Sequence, residues 1–207
     1  MSLAQGKAGS TGRRVWLSLA ASCLLMSLAA SAETSPWLLH FSPAGTRIAF
    51  TIGDSLHTIH GSFQLKSGEV TFDPNSGAIH GLIVVDATSG QSGSRIRDRR
   101  MHREILQTDR YPEISFRPDR VEGKIPASGS ASVQVHGVFS IHGGEHEITL
   151  PARVQAFPDH WILDLHFTIP YVKWGIKNPS TFLLRVSESV EIDVHATGRS
   201  PFAGRHG

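Results

Sequence analysis

Cysteine is nearly absent from this chain: Cys23 is the only one in 207 residues, so no intramolecular disulfide can form. A small exported domain often leans on such cross-links, and this one must be held by its core. Charge of one sign is also missing. The formal balance is +2, and once Lys7, Arg13 and Arg14 are set aside with the leader described below, 20 basic against 18 acidic residues becomes 17 against 18. Nucleic-acid binders carry a basic patch or a basic domain, so no nucleic-acid partner is expected. There is no Gly-x-Ser-x-Gly elbow and no glycine-rich phosphate loop running into a helix. With no cysteine beyond residue 32, a cysteine nucleophile is missing too, and the chain reads as a non-enzyme without a cofactor.

The front of the chain carries a targeting pattern. Arg13 and Arg14 precede an apolar run from Val15 to Ala29 broken only by Ser18, Ser22 and Ser27, and Ala30-Ser31-Ala32 supplies the small-x-small site. This predicts a secretory signal over residues 1–32, cleaved near Ala32 so that the chain starts at Glu33 in the periplasm or outside the cell. A membrane anchor needs roughly 20 predominantly apolar residues, and this run is shorter. The stretch Thr11 to Leu17 loosely resembles a twin-arginine signal, which leaves the export route open. Cys23 lies inside the apolar run rather than at its end, where a lipid-attachment cysteine belongs. The remaining 175 or so residues suit one domain, over 33–199, with Ser200 to Gly207 a polar, disordered tail.

Alternation of period two dominates that domain, the mark of half-buried strands. Ile48, Phe50 and Ile52 share a face, as do Ile79, Gly81, Ile83 and Val85. So do Val133, Val135, Gly137, Phe139 and Ile141, then Ile148, Leu150, Ala152 and Val154. Trp161 to Ile169 and Val190 to Ala196 complete the series, and turn sequences such as Asp73-Pro74-Asn75-Ser76-Gly77 and His142-Gly143-Gly144 separate the runs. From about Gly93 to Leu106 the pattern breaks. Met101 and Ile105, spaced i and i+4 among five arginines, predict one short amphipathic helix near residues 95–106. Many short strands with one helix mean an all-β sandwich or barrel, and an eight-stranded barrel is wide enough to be filled or to hold one small ligand.

Several segments, in order, resemble the YceI-like family. Thr58-Ile59-His60-Gly61-Ser62-Phe63 resembles its glycine-x-phenylalanine element, and Gly68 to Pro74 its second hairpin. The helix followed by Tyr111-Pro112-Glu113-Ile114-Ser115-Phe116, the strand Val135 to Gly143, Trp174-Gly175-Ile176 and Val190 to Val194 match in sequence. Where many relatives carry a double phenylalanine after the helix, this chain has the polar Gln107-Thr108-Asp109-Arg110. The resemblance implies a lipocalin-like extended antiparallel β-barrel, periplasmic or secreted, that binds, transports or stores an isoprenoid lipid such as a quinone or polyprenyl chain. It brings no catalytic motif, and a homodimer enters only through it.

The side chains placed around such a ligand are Phe50, Phe63, Phe72, Phe116, Phe139, Ile141, Leu165, Phe167 and Trp174, with Met101 and Ile105 from the helix. A filled core has the same pattern, so each also reads as ordinary packing. Arg95, Arg99 and Arg103 are the candidates for contact with a ligand head group or an anionic membrane surface, since guanidinium recognises phosphate well; a solvated helix face paired with Asp98 and Glu104 is the plainer reading. The alternative function is a filled-core module that docks on a membrane or redox partner through this arginine-rich helix. His57-x-x-His60 and His142-x-x-x-His146 have spacings seen at metal sites but lack third and fourth ligands, so no metal is expected. His80, His136, His166 and His195 fall on the polar strand faces.

Overall fold

The computed structural model describes residues 36–182 and 184–199; the predicted signal, with Cys23, and the tail lie outside the described residues. Eight strands follow one another: β1 (Trp37–Gly53), β2 (Thr58–Phe72), β3 (Ile79–Gln91), β4 (Glu113–Glu122), β5 (Gly129–Ile141), β6 (Gly144–Ala156), β7 (His160–Ile169) and β8 (Val190–Arg199). Each pairs antiparallel with the next, and β8 returns to β1, so the sheet closes into a barrel. This is the all-β barrel that the alternation predicts, since apolar residues on one face of every strand can only be covered together if the sheet wraps around them.

The one helical stretch lies between β3 and β4, where the pattern breaks. It opens as α1 (Arg95–Arg100) and widens into a π-helical segment, Met101–Leu106. Gln107 stops it in a left-handed conformation, φ 49°, with the Thr108 N–H donating back to the His102 carbonyl at 3.0 Å. A left-handed residue after a helix is usually glycine; here the polar segment after the helix makes the turn instead, and Thr108 is buried in it.

Two apolar tiers fill the barrel. The lower one packs Leu39, Phe72, Val121, Val133, Val154 and Trp161, with Trp37 completing a cluster of edge-on aromatic rings. The upper one contains Ile48, Phe50, Leu65, Ile114, Phe139, Ile141 and Ile192, and Met101, Ile105 and Leu106 of the helical stretch pack against it. Phe41 and Ile83 touch both tiers.

Phe41 reaches that position through an irregularity in β1. Counting by twos from Ile48 puts residue 41 on the outer face. The register against β8, however, runs from Phe41↔Gly198 to Thr46↔Ala196, five steps on one strand against two on the other. The extra residues of this bulge turn Phe41 inward. Its ring then lies over Gly198, where an added Cβ would sit 2.7 Å from the ring, and its Cβ comes 3.0 Å from the one that Gly68 lacks.

Candidate functional site

Above Phe41 the barrel is hollow. A cavity of about 400 Å³ runs from Phe41 and the lower-tier residues Val70, Ile79 and Ala152 to the end of the barrel where α1 lies, within the 300–1,000 Å³ range common for small-molecule sites. Its wall is almost wholly apolar. Phe50 and Phe63 line it from β1 and β2, Phe116 from β4, Phe139 and Ile141 from β5, and Leu165 and Phe167 from β7. Met101 and Ile105 line it from the π-helical segment. Nine of the eleven apolar residues singled out from sequence therefore surround one space.

Two do not. Phe72 is buried beneath the cavity, edge-on to Trp37 and Trp161. Trp174 does not border the space either; it stacks on His146 with rings 4.1 Å apart and leans on Phe139. Alternation identifies inward residues but says nothing of their depth, and Trp174 lies in a loop that has no period.

The arginines are displaced in a similar way. Arg95, Arg99 and Arg103 are exposed and border no part of the cavity, whereas Arg97 and Arg100 do. Met101 points inward, and Arg97 sits one turn before it on the same face. Arg97 is held in place: its Nε donates to Ser92 Oγ and an Nη to the Ser92 carbonyl, each at 2.7 Å, while Asp98 accepts from the Ser92 N–H and hydroxyl. Arg100 Nε lies 3.5 Å from Glu104. Across the mouth, Asp54 accepts N–H bonds from Leu56 and His57 at 2.8 and 2.7 Å, which hold its carboxyl below the usual range.

The third side of the mouth is the long connection between β7 and β8, which sequence periodicity left undefined. Ile176, Pro179, Leu184 and Val186 border the cavity from it. Tyr171 anchors its start, donating its hydroxyl to the Ser187 carbonyl at 2.6 Å, and burial pushes this phenol up to about 12. Lys177 joins the loop to the helical stretch through Glu104 at 3.3 Å. Deep in the wall, one polar atom is left over: the Thr46 hydroxyl is buried without a partner.

The histidines are dispersed. His60 bonds Thr51 at 3.1 Å and His57 stays 3.8 Å from Asp54. His142 packs on Tyr111, and His146 on Trp174. Among the described residues no three His, Cys, Asp or Glu side chains converge as a metal site would need. On the outer face, His166 and His195 pair across β7 and β8 with Asp193 and Asp164, each at 2.7 Å, and the half-buried His136 pairs with Asp119.

Comparison with known proteins agrees with this architecture. The sequence-family model for the YceI-like domain matches residues 39–198. The barrel superposes on BcnA of Burkholderia cenocepacia with a TM-score of 0.65 at 19% identity, over 76% of this chain and 98% of that one. A polyisoprenoid binding domain from Saccharophagus degradans gives 0.60 at 16% identity, covering 81% and 100%. The Campylobacter jejuni YceI protein gives 0.58 at 17%, covering 70% and 87%. Among curated proteins none matches.

Proposed function

This chain belongs to the YceI-like family, and on that premise we propose that it binds and carries, or stores, a single-chain hydrophobic lipid of isoprenoid type inside the barrel, without catalysing a reaction. The observation that carries the reading is the hollow upper tier, whose walls are almost wholly apolar and whose charged groups lie only at its rim. Burial of apolar surface contributes roughly 25 cal/mol per Å², so a hydrocarbon chain in such a space is held tightly with few polar contacts. The Saccharophagus degradans domain of like fold is described as polyisoprenoid binding, which supports the same ligand class here. Arg97, Arg100 and Asp54 are placed to meet a polar head.

The dimensions set a chain length. At about 30 Å³ for a methylene-sized unit, the cavity of about 400 Å³ holds roughly 13 carbons. From Asp54, just past the end of β1, down to Thr46 is eight residue steps, and a rise of about 3.3 Å and a tilt near 40° give a depth of about 20 Å, or about 16 carbons extended. Two to three isoprene units fit, and a longer tail projects from the mouth.

The predicted leader belongs to the same proposal and puts the work in the periplasm or outside the cell; amino-terminal sequencing of the exported protein should begin at Glu33. The decisive test is solvent extraction of the purified protein followed by mass spectrometry. A stoichiometric single-chain lipid is expected, and its loss from a folded Phe116→Glu variant. A protein that is lipid-free and also refuses added prenols and quinones would falsify the carrier reading. The filled core of the alternative reading has no observation in its favour, because the upper part of the interior is hollow.

A further inference from the structure

Large apolar side chains that remain exposed are few in the described structure, and three of them sit on the three segments that frame the mouth. Leu56, on the β1–β2 turn, is 73% exposed; Ile96, on α1, is 81% exposed; Phe182, on the β7–β8 connection, is 98% exposed. The first and third segments are neighbours, since the Ser55 N–H donates to the Arg185 carbonyl at 2.9 Å and Asp54 bridges to Val186. The second is tied to the same mouth by Arg97 and Arg100. A side chain that is almost fully solvated contributes nothing to the barrel's own packing, so the fold does not account for these three.

The charge around them is predominantly positive. Arg95, Arg99 and Arg103 are exposed with no acidic partner among the described residues, and the Arg185 side chain also lacks one. The acidic groups nearby are fewer and already engaged: Glu104 by Lys177 and Arg100, Asp98 by Ser92, and Asp54 by backbone N–H groups. Apolar tips inside a ring of free guanidinium groups complement an anionic lipid bilayer, with the tips entering the acyl boundary and the arginines meeting phosphate.

We propose that the mouth of the barrel is a membrane-docking face, on which Leu56, Ile96 and Phe182 insert and Arg95, Arg99 and Arg103 hold the anionic surface. Docked this way, the cavity opens directly onto the bilayer. A hydrocarbon chain can then pass between membrane and barrel without crossing water.

Vesicle co-flotation tests this with the purified protein and two probes: vesicles of phosphatidylcholine alone, and of phosphatidylcholine with phosphatidylglycerol. Binding to the anionic vesicles is expected, weakening as salt rises. Burying one large apolar side chain is worth about tenfold in partition, so Phe182→Ser and Ile96→Ser should each cost about that factor. Arg99→Gln should cost about fivefold, and on the anionic vesicles only. Phe157→Ser is the control, since Phe157 lies at the β6–β7 turn, at the opposite end of the barrel. All these side chains are on the surface, so the variants should keep the native fold. Equal binding to both vesicles, no binding to either, or loss in Phe157→Ser matching that in Phe182→Ser would each overturn the proposal. Partner capture that survives on neutral surfaces would point to a protein instead.

Discussion

Lys177 Nζ donates to Glu104 Oε2 at 3.3 Å, and this contact joins the β7–β8 connection to the helical stretch across the barrel mouth. The hydrogen bond from Lys177, helped by its charge and that of Arg100, lowers the Glu104 carboxyl below its ordinary 4.5. A lowered carboxylate keeps its partner above its ordinary value and loses it as pH falls through the lowered one. The clasp is therefore closed at neutral pH and released only in acid. Because exposed pairs are weak, Lys177→Met is expected to speed release of a bound chain by roughly twofold to fivefold. Stopped-flow dissociation at pH 7 checks this, and the variant should lose the acid-induced acceleration of the native protein.

The buried hydroxyl of Thr46 has no partner. An unsatisfied buried polar group costs about 1–3 kcal/mol, and valine has nearly the same shape. Thr46→Val should thus stabilise the empty barrel by about 1 kcal/mol, read as a higher urea midpoint at unchanged slope. A loss of stability would show that the hydroxyl has a role in the native wall.

Gly198 and Phe41 form one unit. A methyl at residue 198 would sit 2.7 Å from the Phe41 ring, so Gly198→Ala should destabilise by about 1–3 kcal/mol through overpacking. In a Phe41→Ala background the same change should cost much less. A double-mutant cycle gives the coupling directly, and additive costs would remove Phe41 from the floor. Phe41→Ala should also let the barrel take chains longer than about 16 carbons fully inside.

On the outer face the hydrogen bond that His166 donates to Asp193, followed by the charge of that carboxylate, raises His166 above 6.5. A raised histidine adds stability below its unfolded value and loses it as pH climbs through the folded one. An NMR titration should find the His166 midpoint above 6.5, and Asp193→Asn should bring it down. The effect on overall stability should be small, because the pair is exposed.

Much of this architecture was legible in the sequence, and the reasons for the rest are local. Strand faces follow from alternation, so Phe50, Phe116 and Phe139 could be placed inside without a structure. Phe41 could not, because the bulge before Thr46 shifts the parity and no periodic rule spans it. The arginine phase was present in the same spacing. Met101 and Ile105 define the inner face of the helical stretch, and Arg97 falls on it by the same spacing of four, whereas residues 95, 99 and 103 belong to another face. Trp174 and the rest of the β7–β8 connection carry no repeat, so their place at the mouth came from tertiary contacts such as the Tyr171–Ser187 bond.

Because β8 returns to β1, every strand has a neighbour on both sides. Open sheets offer a row of free N–H and C=O groups on which a second chain can extend the ladder, and this perimeter leaves a strand without a ladder partner only where a seam is short, as in β6 before Ala152 on the side of β7. Self-association of the folded barrel must then run through side chains on its faces or ends. Fibre growth by strand addition would first require one seam to tear, and the two short ladders, β3–β4 from Ile83↔Phe116 to Asp86↔Glu113 and β6–β7 from Ala152↔Leu165 to Ala156↔Trp161, are where a tear would start.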